Sequence, residues 1–149
     1  MAERVLVVED DPANAVLIEF ILSRLGGFEV VHTDDGDRVL ETIRGSGLAA
    51  VLMDVSLRDT SVAGVKVDGL ELTRRLRDLP GCRDLPVILL TAHAMQGDRE
   101  RLLFSSGAND YVSKPITNQH AFIELVRRHI RSSGELQALI DEETSDGRR

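Results

Sequence analysis

The sequence contains polar side chains suited to phosphoryl chemistry, and each closely follows a short apolar run. Clustered carboxylates repel one another unless a cation neutralises them, and Mg²⁺ prefers oxygen ligands of this kind. An amine offers a point charge to a phosphoryl group, a hydroxyl can donate to it, and a carboxylate can act as the nucleophile. The residues are Glu9, Asp10 and Asp11 after residues 5–8, Asp54 after 49–53, Thr91 after 87–90 and Lys114 after 110–112.

Five apolar runs alternate with amphipathic stretches, and this order predicts a parallel sheet with right-handed crossovers and helices on both faces. In such sheets ligands bind at the carboxyl ends of the strands, where the strand order reverses. If the first and third strands are neighbours, their carboxylates meet there, and Asp54 is the candidate nucleophile. The predicted strands are Val5–Val8, Glu29–His32, Ala49–Met53, Val87–Leu90 and Asp110–Val112.

The first helix has clear end signals. Asp11 before Pro12 is typical of an N-cap followed by proline in the first turn, and Gly26-Gly27 marks the end. We therefore expect Asp11 to cap the helix rather than bind a metal. The residues expected on the core-facing stripe of this helix are Val16, Phe20, Ile21 and Leu25.

Length and composition indicate one domain, which we place at residues 1–132 of the 149. The net charge of −7 argues against direct nucleic-acid binding. No apolar run approaches the roughly 20 residues that span a membrane, so membrane insertion is not expected. The single cysteine, Cys82, fits a reducing cytoplasm.

Residues 133–149 are expected to form a separate C-terminal tail. Ser132, Ser133 and Gly134 interrupt the helical pattern after Arg131. Beyond them, the apolar residues at 136, 139 and 140 predict one short helix, and the last six residues are expected to be disordered.

The motifs VLVVEDDPAN, VLMDVSL, DGLELTRRLR, VILLTAHAM and GANDYVSKPI, in this order, resemble those of response-regulator receiver domains from two-component phosphorelay signalling. The resemblance covers residues 5–130 and is strongest to stand-alone and relay receivers. It implies an α/β fold of the flavodoxin-like, doubly wound (βα)5 type. Its five-stranded parallel sheet would have the order 2-1-3-4-5.

The resemblance also implies residue roles. Asp54 would accept a phosphoryl group, while Thr91 and Lys114 would bind the phosphoryl oxygens. The Mg²⁺ site would comprise Asp10, Glu9 through water, Asp54 and the backbone carbonyl of Ser56. Thr91 and Tyr111 would form the activation switch, and Lys114-Pro115 would be a cis peptide.

One segment departs from the family pattern. Typical receivers have a proline four residues after the acceptor, where this chain has Arg58, and Gly69 lies about seven residues later than its counterpart. We interpret Arg58–Asp68 as an insertion, either a bland surface loop or a mobile flap that helps to choose the phosphodonor.

The leading function is a single-domain response regulator that receives its phosphoryl group from a histidine kinase or histidine phosphotransfer protein. Because no effector domain fits after residue 132, output is expected through a downstream effector protein. One alternative is a magnesium-dependent phosphatase with an aspartyl nucleophile, but the position of its usual general acid is Ser56. Another is a receiver-like binding module that never takes phosphate. We expect no enzyme activity beyond self-phosphorylation and slow self-dephosphorylation.

Overall fold

Among the described residues, strands and helices alternate, apart from two short consecutive strands that precede the third helix. The computed structural model describes residues 2–45, 47–92 and 98–146. Its elements are β1 (Arg4–Val8), α1 (Pro12–Phe20, continued by a π-helical segment, Ile21–Leu25), β2 (Glu29–Thr33), α2 (Gly36–Arg44), β3 (Leu48–Asp54), β4 (Ser61–Val62), β5 (Val65–Lys66), α3 (Gly69–Arg77), β6 (Val87–Thr91), α4 (Asp98–Ser106), β7 (Asp110–Ser113) and α5 (Gln119–Asp146).

The main sheet has the order β2-β1-β3-β6-β7, and all of its pairs are parallel. This is the predicted order 2-1-3-4-5 once the two short strands β4 and β5 are left out of the count. The chain runs from β1 outward to β2 and then returns to β3 on the other side of β1. Val8 is the register partner of Met53, so Glu9 and Asp54 follow at adjacent strand ends. The strand order therefore reverses at the predicted site.

Both faces of the sheet are covered, which explains the continuous apolar runs. Leu6 and Val8 of β1 pack on one side in a core that includes residues of α2 and α3. Val5 and Val7 point to the other side, into a core that includes residues of α1 and α5. The alternation along β1 thus divides the interior into two layers.

Helix α1 turns a different face to the core from the one predicted. Of the predicted stripe, only Ile21 is buried, while Val16 is 67% exposed and Phe20 54% exposed. The buried residues of the helix and its π-helical continuation are Ala15, Ile18, Ile21 and Leu22. Because apolar residues occur on more than one side of this helix, periodicity alone could not select the inner face.

The insertion Arg58–Asp68 is not a structureless flap. Strands β4 and β5 pair as an antiparallel hairpin, and its two-residue turn is Ala63-Gly64, with φ values of 50° and 81°. Positive φ at both turn positions matches the twist that tight hairpins require. The prediction of a mobile loop is therefore corrected to an ordered hairpin.

The hairpin packs against the start of α2. The Thr60 hydroxyl donates to the Asp34 carbonyl at 2.8 Å, and the Ala63 amide donates to the Asp37 carboxylate at 3.0 Å. A Cβ on Gly36 would lie 2.5 Å from the Ser61 carbonyl oxygen, so only glycine permits this approach. Three inward residues of the segment, Thr60, Val62 and Val67, are buried.

Helix α5 is one continuous helix from Gln119 to Asp146, so the predicted break and separate short helix are wrong. Serine and glycine in a helix cost at most about 1 kcal/mol each, and neighbouring helix formers outweigh them. Ser133 also donates its hydroxyl to the Asp84 carbonyl at 2.9 Å. The boundary at residue 132 remains a prediction. Among the described residues, none of the helices is long and apolar enough to cross a membrane.

Candidate functional site

Three carboxylates and one amine meet where the strand order reverses, and we call this group (Glu9, Asp10, Asp54 and Lys114) the acidic cleft. One carboxylate oxygen from each acid lies within 4.8 Å of the other two. The Lys114 ammonium lies 3.1 Å from Asp54 Oδ1 and 3.3 Å from Glu9 Oε2. The side chains of Glu9 and Asp54 are 1% and 3% exposed. Three acids thus meet one amine, and two of the acids are almost fully shielded from solvent.

The backbone around Asp54 fixes its position. Asp54 is the last residue of β3, and the Val55 amide after it donates to the Leu90 carbonyl at 2.9 Å. The Ser56 amide donates to Asp54 Oδ1 at 3.1 Å. Helix α3 begins at Gly69, and a Cβ there would lie 2.0 Å from the Asp54 carbonyl oxygen. The helix start can therefore approach the acceptor strand only with glycine.

The excess of negative charge affects the pKa values of Glu9 and Lys114. Burial, and then the charge of Asp54, raise the pKa of Glu9 above its usual 4.5, although the Asp11 amide and Lys114 act in the opposite direction. Burial disfavours the Lys114 ammonium, but the hydrogen bond and charge of Asp54 and the charge of Glu9 outweigh it and raise the pKa of Lys114. The cleft thus favours an additional cation.

The donor set suits a hard divalent ion. Carboxylate oxygens are ligands that Mg²⁺ prefers, and a partly open cleft lets it keep several waters. Asp11 is not one of the three clustered acids. It caps α1 instead, its Oδ1 accepting from the Ala13 amide at 3.0 Å, which confirms the predicted N-cap. Ser56 lines the cleft, and the coordinating role of its carbonyl stays a prediction.

The other predicted site residues end neighbouring strands. Thr91 is buried at the end of β6, and its carbonyl accepts from the Lys114 amide at 2.8 Å. The Lys114-Pro115 peptide bond is cis, as predicted. Tyr111 lies on β7, half-buried, with the guanidinium carbon of Arg99 6.0 Å from its ring centroid. The structure therefore places Thr91 and Lys114 together at the cleft edge. Tyr111 lies earlier on β7, two residues before the strand ends.

Sequence reasoning missed a second charged group, the Asp110 cluster, made of Asp110, Arg99 and His129. Asp110 Oδ1 accepts from Arg99 at 3.0 Å, and its Oδ2 lies 2.9 Å from His129 Nε2. The Tyr111 amide also donates to Asp110 Oδ1, at 2.8 Å. This cluster joins α4, β7 and α5 directly beside the predicted switch tyrosine. No spacing rule relates its members, because each lies on a different element.

The insertion also contributes to the site, which the sequence did not specify. Arg58 and Asp59 line the cleft together with Lys114 and Pro115. The Arg58 amide donates to Asp10 Oδ2 at 2.7 Å. The departure from the family pattern is therefore in direct contact with a predicted metal ligand.

A model of the response regulator receiver domain family matches residues 5–127. With the sheet order and the acidic cleft at its reversal point, this match shows that the chain belongs to the response-regulator receiver domains.

Among similar proteins is the polar-differentiation response regulator DivK of Brucella ovis, 35% identical over 130 residues that cover 87% of this chain and 98% of DivK. Hybrid signal transduction histidine kinase I of Dictyostelium discoideum is 35% identical over 86% of this chain, but the match spans only 7% of that protein.

Solved structures similar to this chain include another receiver domain. The receiver domain of the sensor histidine kinase PA1611 from Pseudomonas aeruginosa, with a magnesium ion coordinated in its active-site cleft, has 35% identity and a TM-score of 0.73. The alignment covers 87% of this chain and 98% of that one. NtrX of Brucella abortus has 25% identity and a TM-score of 0.79, over 95% of this chain and 29% of NtrX.

Proposed function

We propose that this receiver domain accepts a phosphoryl group on Asp54 from a histidine kinase or a histidine phosphotransfer protein. The observation that carries the proposal is the Asp54 carboxylate itself, 3% exposed, at the end of the central strand and 3.1 Å from the Lys114 ammonium. A hybrid histidine kinase among the relatives and the response regulator DivK support a kinase as the source of phosphate.

In the proposed transfer, an Asp54 carboxylate oxygen attacks the phosphorus of a phosphohistidine. The new P–O bond forms as the P–N bond breaks, and the electron pair of that bond returns to the donor histidine nitrogen. Lys114 binds a phosphoryl oxygen, and the Thr91 hydroxyl donates to another.

Glu9, Asp10 and Asp54 would hold Mg²⁺, with the Ser56 carbonyl as a further ligand. Their clustered oxygens fit it, and the magnesium-bound PA1611 receiver supports the assignment. When bound, Mg²⁺ neutralises charge on the transferring phosphoryl oxygens.

We also propose that the chain is not a turnover enzyme. An aspartyl phosphatase would need a general acid near its nucleophile, and two residues after Asp54 the chain has Ser56. Incubation with a small phosphate ester should therefore release no phosphate beyond slow self-dephosphorylation, measured as free phosphate over several hours. Steady turnover would contradict this.

Output is proposed to pass through phosphorylation-dependent binding of an effector protein. Thr91 would move toward the phosphoryl group, and Tyr111 on the adjacent strand would change rotamer. Binding can shift such an equilibrium only if the effector prefers one state. NMR of beryllofluoride-treated protein should show shifts in α4, β7 and α5, and Thr91→Ala should reduce them. Shifts confined to the Asp54 loop would contradict the proposed switch.

The acceptor assignment is tested by intact-mass spectrometry. With acetyl phosphate and Mg²⁺, the wild type should gain the mass of one phosphoryl group, and Asp54→Asn should gain none. Asp59→Asn is a matched control, because Asp59 also lines the cleft but is not proposed as the acceptor. Equal labelling of the wild type and Asp54→Asn would remove Asp54 from this role.

A further inference from the structure

The hairpin insertion reaches the acidic cleft through a single backbone group. The Arg58 N–H donates to Asp10 Oδ2 at 2.7 Å and joins residues that are 48 positions apart. A backbone N–H bonded to a carboxylate is a charge-assisted hydrogen bond, which is shorter and stronger than one between neutral groups. The bond therefore restrains the carboxylate and not merely the loop.

The hairpin determines where this N–H lies. Val67, at the end of the hairpin, donates its amide to the Thr60 carbonyl at 3.0 Å. The Thr60 hydroxyl and the Ala63 amide attach the segment to Asp34 and Asp37 at the start of α2. Arg58 is thus held between an ordered hairpin and the end of β3.

Asp10 needs such a restraint because it is partly exposed and lies among like charges. One of its oxygens is within 4.8 Å of oxygens of both Glu9 and Asp54. Repulsion favours rotation of its carboxylate away from the cleft when no cation is present. The Arg58 N–H is a fixed donor that opposes this rotation.

We propose that the Arg58 backbone N–H is a positioning group for the divalent-cation site: it orients the Asp10 carboxylate for the ion, and the hairpin insertion holds the N–H in place. The inference rests on the proposed function, since it concerns the metal site of that same cleft. Hydrogen bonds of this kind orient metal ligands, and their loss commonly costs about 10–100-fold in affinity. The insertion would then serve metal binding rather than only partner choice.

The test exploits the fact that proline alone lacks an N–H. Arg58→Ala and Arg58→Pro lose the same guanidinium, so the ratio of their Mg²⁺ dissociation constants isolates the N–H. In calorimetric titration of the full chain, we expect Arg58→Pro to bind Mg²⁺ about tenfold more weakly than Arg58→Ala. A ratio near one overturns the inference. Absence of Mg²⁺ binding by the wild type would instead contradict the proposed metal site.

A purely structural role for the bond would change stability without changing affinity. Both variants are therefore also compared by urea unfolding, and the affinity ratio is measured where both are fully folded. If Arg58→Pro does not fold, amide NMR of the wild type decides. The Arg58 amide resonance should shift during Mg²⁺ titration with the same dissociation constant as the Asp10 amide. A stationary Arg58 resonance would overturn the inference.

Discussion

Two charged clusters among the described residues differ in their charge balance. In the acidic cleft, one lysine bonds two of the three clustered carboxylates, and burial together with the charge of Asp54 raises the pKa of Glu9. In the Asp110 cluster, one carboxylate meets an arginine and a histidine. Burial disfavours ionised Asp110, but the hydrogen bonds from His129, the Tyr111 amide and Arg99 together lower its pKa.

The difference distinguishes a site that could bind a cation from a site whose carboxylate already has its hydrogen-bond donors. A cluster with unbalanced like charges is stabilised by a cation from outside. A cluster whose carboxylate already has its donors gains nothing from one and instead fixes the elements that carry it. The two clusters therefore differ in whether an added cation would stabilise them.

The largest expected difference between the clusters is in the rate of Asp54 labelling after the cationic side chain of each is replaced. Lys114→Met should slow labelling of Asp54 by acetyl phosphate about 10²–10³-fold, because one preorganised donor to the phosphoryl group is lost. Arg99→Met, the matched change in the Asp110 cluster, should leave the labelling rate within about twofold. The rates are followed by intact mass at fixed Mg²⁺ concentration. Similar slowing in both variants would remove the distinction between the clusters.

Neutralising one acid in each cluster should change the free energy of unfolding in opposite directions. Asp110→Asn loses charge-assisted bonds in a nearly buried position and should lower the free energy of unfolding by about 1–3 kcal/mol. Glu9→Gln removes a desolvated like charge and should raise the free energy of unfolding without Mg²⁺. Urea denaturation at neutral pH measures both. Destabilisation by Glu9→Gln would contradict the unbalanced charge of the cleft.

The smallest effect is a difference in pH dependence. The pKa of Asp110 is lower in the folded chain, so its contribution to stability is complete above 3.8 and is lost as the pH falls through the folded pKa. The pKa of Glu9 is higher in the folded chain, so its contribution is complete below 4.5 and is lost as the pH rises through the folded pKa.

Unfolding is therefore followed without Mg²⁺ across the acid range. The stability difference between the wild type and Asp110→Asn should shrink as the pH falls below 3.8. The advantage of Glu9→Gln over the wild type should grow as the pH rises above 4.5. Parallel pH profiles for these two comparisons would show that the clusters do not differ in charge balance.

The strands and the acidic cleft were predictable because strand ends in a parallel sheet share one edge. Each predicted strand agreed with the observed one to within one residue at either end, and this placed Asp54, Thr91 and Lys114 together. The face of α1 that packs against the core could not be predicted from hydrophobic periodicity alone. Its apolar residues fit two stripes, and packing against β1 and α5 selected the one containing Ile18 and Leu22.

The Asp110 cluster and the Arg58 contact depend on tertiary structure that no local pattern encodes. Asp110 and His129 are 19 residues apart on a strand and a helix, and the Arg58 donor is a backbone group common to every residue except proline. The hairpin did leave a signal. Ala63-Gly64 lies between valines in SVAGVK, but the two-residue turns used by hairpins favour Asn or Gly where this chain has alanine.

Because α5 is continuous, one helix contains both a part packed in the core and a part exposed to solvent. Its first part is anchored by Phe122 and Val126 in the core, whereas Leu136 and Leu139 are 43% and 59% exposed. At about 1.5 Å per residue its 28 residues extend about 42 Å, so its end lies far from the residues that hold its start. We expect amides near Val126 to exchange with solvent deuterium only when the whole domain opens, and those beyond Gly134 to exchange through fraying of the helix. Amide exchange along this helix thus separates global from local unfolding in one experiment.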